Sequence, residues 1–206
     1  MKNFSNQKKK GFTIIEVVTA MAIFTMMIVA FSSAFASSFF GYRNSMLIQK
    51  DLEEAQYAAN LMAKSLRTSS IIGCGNGNTP GSCDSSTKYT LVRVYDYSQG
   101  LCIDYKINNG IIENDYVSLN SREDCANQGS MSGAPLTSNK VFLTGNSSFY
   151  VSPSTTGSPA KVGRVTIFFE LCPAKSGGGA CASNSNEQTR IQTSVSLRDY
   201  TVTGIR

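Results

Sequence analysis

Glu16 is the residue whose setting most needs a chemical explanation. It is the only charged side chain between Lys10 and Arg43, inside the run GFTIIEVVTAMAIFTMMIVAFSSAFASSFFGY. A carboxylate in such hydrocarbon-seeking sequence costs about 2.5–3.5 kcal/mol on insertion scales, so it is expected to have a partner. No Lys or Arg lies from Phe12 to Tyr42, and the partner must come from outside this segment. The cysteines are the second reactive set: Cys74, Cys83, Cys102, Cys125, Cys172 and Cys181. Catalytic chemistry is harder to find. The chain has no histidine, which excludes Ser-His-Asp and Cys-His arrangements and leaves only Ser-Lys or carboxylate mechanisms, for which no constellation stands out. Asp96, Asp104, Asp115 and Asp124 are scattered, and none forms the D-x-[DN]-x-[DN]-G calcium loop. No catalytic residue, metal or cofactor is expected, and a non-enzymatic protein is the reading.

The element that must position Glu16 is a helix. From Phe12 to Tyr42 the chain runs 31 residues without proline, about 46 Å as an α-helix, whereas a bilayer core needs roughly 30 Å. A membrane-spanning helix is therefore expected over 12–42. Beyond Arg43 the helical pattern continues: Ile48, Leu52, Ala55, Ala59, Met62 and Leu66 recur at four- and three-residue steps, the stripe of a one-sided helix over 43–68. Gly41 is a weak point in it, costing about 1 kcal/mol relative to Ala and allowing a bend.

Lys8-Lys9-Lys10-Gly11-Phe12-Thr13-Ile14-Ile15-Glu16 resembles the type IV prepilin signal shared by pilins and the pseudopilins of type II secretion. The resemblance is close from Lys8 to about Phe31. It implies removal of residues 1–11 by a prepilin peptidase cutting after Gly11, N-methylation of Phe12, and pairing of Glu16 with a neighbour's new terminal amine. It further implies other pilin or pseudopilin subunits and an inner-membrane assembly platform as partners. The expected location is the inner membrane as a single-pass protein, then an extracytoplasmic filament or the cell surface. Major pilins often carry a proline late in this helix; here Ser32-Ser33 stands in that neighbourhood, which favours a minor subunit or pseudopilin. Two plainer readings compete. Ala34-Phe35-Ala36 fits a secretory cleavage pattern releasing a domain at Ser37, but the apolar region is too long and contains Glu16. A simple anchor leaves Glu16 and the Gly-Phe junction unexplained. The corresponding alternative function is a tethered or secreted adhesin with no polymer role.

Charge supports the orientation. Of 19 basic side chains, Lys2, Lys8, Lys9 and Lys10 stand in the first 11 residues with no acid beside them, leaving 15 basic against 14 acidic. The net +5 thus belongs to the leader and places the N-terminus inside by the positive-inside rule. Exported cysteines favour disulfides, and pairing of sequence neighbours, Cys74 with Cys83, Cys102 with Cys125, and Cys172 with Cys181, is the simplest connectivity. With neither C-x-x-C nor histidine, the usual structural zinc spacing is missing.

Residues 69–206 read as a β-rich, disulfide-stapled domain. Ser69 to Thr87 reads as a loop, and Gly73, Gly75 and Gly77 do not make a phosphate cradle. Strands are expected at Tyr89–Tyr95 and at Leu101–Asn108, then after the hairpin signal Asn109-Gly110 from Ile111 to Leu119. A polar loop holds Cys125, and Val141–Val151 reads as a short or irregular strand. Residues 165–172 and 191–198 alternate and should pair antiparallel, giving an α+β fold with a sheet on the one-sided half of the helix. Tyr89, Tyr95, Tyr97 and Tyr105 with Lys88, Arg93 and Lys106 could line a surface for single-stranded DNA, although strand tyrosines are more often half-buried sheet residues, and nucleic acid is not an expected partner.

Overall fold

The computed structural model describes residues 11–137, 141–155, 162–172 and 189–198. The expected leader residues 1–10, the Gly177-Gly178-Gly179 stretch and Cys181 lie outside them. The architecture is α+β: one long helix, α1 (Ile14–Leu66), followed by antiparallel strands. The chain divides into two units, residues 1–46 and 47–206.

In the first unit α1 is helical without a break through Gly41. Every residue from Gly11 to Arg43 is exposed, among them Phe12, Ile14, Met26 and Phe31. This half of the helix is apolar all round, and the helix is long and apolar enough to cross a membrane.

The second unit contains the one-sided half of α1 and, among the described residues, ten strands: β1 (Ser69–Gly75), β2 (Lys88–Tyr89), β3 (Leu91–Asp96), β4 (Leu101–Asn108), β5 (Ile111–Ser118), β6 (Ala134–Pro135), β7 (Phe142–Leu143), β8 (Ser148–Ser152), β9 (Arg164–Cys172) and β10 (Thr189–Ser196). A short helix, α2 (Arg122–Asn127), lies between β5 and β6. The strands form two sheets rather than the single sheet expected, in the orders β1-β3-β4-β5-β6 and β10-β9-β8-β2, with β7 also on β9. The connection is made at Thr90. Tyr89 pairs with Phe149 in the second sheet, while Leu91 pairs with Lys106 in the first. What reads in sequence as one strand therefore turns a corner between sheets.

Both sheets close over the helix. Ala55, Ala58, Ala59, Met62, Ala63 and Leu66 share one apolar core with Val92, Val94 and Ile103 of the first sheet and Phe149, Ile167 and Phe169 of the second. Alanines at three- and four-residue steps let the sheet side chains approach the helix backbone, and Met62 and Leu66 fill what remains. In β9 the expected alternation holds from Arg164 to Phe169, with Val165, Ile167 and Phe169 buried, and ends there because Glu170, Leu171 and Cys172 are all buried.

Ser69–Thr87 is not all loop. Its first seven residues are β1, paired antiparallel with β3 through a bulge between Ile71 and Gly73. Gly73 and Gly75 deceive a sequence reading because their role is close approach. A Cβ on Gly73 would stand 2.8 Å from Pro80 Cβ, and one on Gly75 2.7 Å from the Thr79 carbonyl. The glycines let the following loop fold back on its own strand. The expected polar loop around Cys125 likewise contains α2, whose N-cap Ser121 accepts a hydrogen bond from the Asp124 N–H. The hairpin at Asn109-Gly110 has φ of 49° and 76°, the paired positive values a type I′ turn requires.

Candidate functional site

Helix α1 starts where its sequence supplies a cap. The Glu16 N–H donates to the Thr13 carbonyl at 3.1 Å and to Thr13 Oγ1 at 3.4 Å, so Thr13 is the N-cap and Glu16 the third helical residue. Thr-x-x-Glu is the spacing of a capping box, and an anion in the first turn is favoured by the helix dipole. Thr13 was missed by the sequence reading, though the Thr to Glu spacing was there to find.

Glu16 therefore has a local reason to stand near a helix start, but not a local neutralising charge. It shares a face with Phe12, Ala20, Met21 and Phe24, and among the described residues no ion pair involves it. Gly11 and Phe12 precede the helix, both exposed. Among the described residues a Cβ on Gly11 would meet nothing within 4 Å. At the other end of the apolar run Phe35 and Phe39 stack at 6.5 Å, and the Arg43 guanidinium lies 6.0 Å from the Phe39 ring. Arg43 is the first cation after the apolar run, and its long side chain can keep its charged end in a polar interface while its stem covers apolar surface.

In the second unit Cys74, Cys102 and Cys172 stand near the ends of β1, β4 and β9, and Cys125 lies in α2. Cys74 is joined to Cys83 and Cys102 to Cys125. Cys172 ends β9 and is itself disulfide-bonded; its expected partner Cys181 lies outside the described residues. The aromatic and basic surface considered for DNA does not form. Tyr89, Tyr95 and Tyr105 are buried, and Arg93 is wholly buried. Arg93 instead makes a two-pronged ion pair with Asp104, Nε to Oδ1 at 2.7 Å and Nη2 to Oδ2 at 2.8 Å. It also donates to the carbonyls of Gln128 and Gly129, holding the chain after α2 against the first sheet. Opposite charges in facing strands are the only sequence signal for this pair, and register alone brings them together.

A second buried carboxylate was also missed. Glu170 on β9 is 1% exposed and accepts from Thr144 Oγ1 at 2.6 Å, Asn146 Nδ2 at 2.8 Å and Arg190 Nε at 2.8 Å. The Thr144 and Asn146 hydrogen bonds pull its carboxyl below the usual range, burial opposes them, and Arg190 adds to the lowering. Among the described residues no cluster of three or more Cys, Asp or Glu side chains converges to hold a metal ion.

The family model described as the prokaryotic N-terminal methylation motif matches residues 6–32. The chain thus carries the type IV prepilin-type signal, the region that contains Gly11, Phe12, Thr13 and Glu16. Neither the curated protein sequences nor the solved structures contain a match to the chain.

Proposed function

We infer that the chain is a minor type IV pilin or pseudopilin, a non-enzymatic subunit of a pilus, secretion or DNA-uptake filament. A prepilin peptidase cuts after Gly11, Phe12 is N-methylated, and α1 is held in the inner membrane with its N-terminus inside until it enters the filament. Residues 12–42 serve as the membrane and filament-core segment, 43–68 as its continuation, and 69–206 as the presented domain. The observation that carries this reading is Glu16: an exposed carboxylate on an unpacked apolar face, four residues after a glycine-phenylalanine junction, within a matched methylation motif. Filament assembly gives that face a cover and that charge an amine.

Mass spectrometry of the mature protein tests the processing step, with methylated Phe12 as the expected terminus. An intact leader, or a terminus at Ser37, overturns it. Glu16→Ala should be cleaved and remain in the membrane yet be lost from sheared filaments. Normal incorporation of that variant would remove the proposed salt bridge.

A further inference from the structure

The second sheet has an outer face, turned away from the core, that is not the smooth polar surface its pattern calls for. Tyr150 on β8 and Phe168 on β9 both stand on it, and both are only partly exposed. Tyr150 is paired with Thr166 and Ser148 with Phe168, which makes Tyr150 and Phe168 diagonal neighbours on one face, positions that lie about 7–8 Å apart in such a pair. Lys88 lies directly across from Tyr150, and Gln192 directly across from Phe168. The Glu170 and Arg190 pair closes one end, and together these residues line a cleft of about 540 Å³, a size ordinary for small-ligand sites.

We propose that this cleft binds a single pyranose ring of a surface glycan, a neutral hexose or N-acetylhexosamine. The C–H face of a pyranose is flat and apolar and stacks on aromatic rings, while its hydroxyls need donors and acceptors around the edge. Tyr150 and Phe168 supply the first. Gln192, Lys88 and the Arg190 guanidinium, whose side chain is 66% exposed, supply the second. Glu170 is the frame: its two oxygens accept from Thr144, Asn146 and Arg190, so it orients one wall of the cleft. Arg190 and Glu170 neutralise each other, leaving Lys88 as the one uncompensated charge among the lining residues. That is too little for a phosphate backbone, which needs a track of cations beside its stacking rings. The cleft belongs to the 47–206 unit, and its ligand does not depend on filament assembly.

The test is saturation-transfer NMR on the full chain in a detergent without sugar head groups, titrated with methyl glycosides of glucose, galactose, mannose, N-acetylglucosamine and N-acetylgalactosamine. At least one should bind with a dissociation constant of about 0.1–10 mM, with saturation strongest on the ring C–H protons. Phe168→Ala and Gln192→Ala should each weaken binding about tenfold, while Tyr116→Ala, an exposed aromatic on the first sheet, should leave it unchanged. Gln192→Ala alters only an exposed side chain, so the test stands even if Phe168→Ala folds poorly. No binding by any of the five, binding indifferent to both cleft variants, or capture of an oligothymidylate in place of the glycosides would overturn the proposal.

Discussion

Glu170 and Arg93 are buried charges with different neighbours, and they should respond differently to change. Glu170 is held as an anion mainly by neutral donors, Thr144 and Asn146. Its folded pKa lies below its unfolded one, so its contribution to stability is complete above the ordinary carboxylate pKa of about 4.3. That contribution declines as pH falls below this value and through the folded pKa. Glu170→Gln should cost about 1–3 kcal/mol at neutral pH, because donors lose a charged acceptor. It should also flatten the acid limb of a denaturation-midpoint series, and an unchanged limb would show that the carboxylate is not the titrating group. Arg93 is fully buried against Asp104, so Asp104→Ala leaves an uncompensated cation and should cost about 3–5 kcal/mol in urea unfolding. Replacing both residues with apolar side chains of similar volume should recover only part of that loss, since the desolvation cost disappears with the charges but the Gln128 and Gly129 carbonyls lose their donor.

Among the elements, α1 carries two kinds of surface, and substitutions should separate them. Leu66 is 2% exposed in the core formed with both sheets, so Leu66→Ala should lower stability by about 2–5 kcal/mol in chemical denaturation. Phe24 lies on the bare half; Phe24→Ala should leave the midpoint of the second unit within about 0.5 kcal/mol. The β4-β5 hairpin has a narrower tolerance. Gly110 has φ 76°, and a Cβ there would meet the Leu143 carbonyl at 2.9 Å. Gly110→Val should therefore destabilise by strain and clash together, by more than the roughly 1 kcal/mol of a compatible glycine substitution.

For the molecule as a whole, the sequence separation of the disulfides matters. The Cys102 to Cys125 bond spans 23 residues and ties the first sheet to the segment that Arg93 also holds. Replacing both cysteines with serine should cost about 2–4 kcal/mol, read as a lower melting temperature in the absence of reductant. Reductant should bring the unmodified protein toward the variant, and indifference to reductant would show that the bond is not a constraint on the unfolded chain.

Legibility followed the range of the interactions. The long helix, its apolar run and its alanine stripe were readable because period and composition are local properties, and Asn109-Gly110 declared its turn because positive φ is a property of those residues. The prepilin-type signal was readable for the same reason, being a fixed order of residue types along nine consecutive positions. Some pairings of distant segments were readable as well, β9 with β10 and Cys102 with Cys125 among them, but others were not. β1 looked like loop because its glycines serve close approach, and the corner at Thr90 looked like unbroken strand because sheet membership depends on which partner lies alongside. Arg93 with Asp104, and Glu170 with Arg190, became pairs only when register set them opposite one another, while Thr144 and Asn146 reach Glu170 from the turn between β7 and β8. Sequence by itself determined what each segment was able to be; the tertiary structure decided which charges met, because pairing free energy depends on a distance that no stretch of chain carries alone.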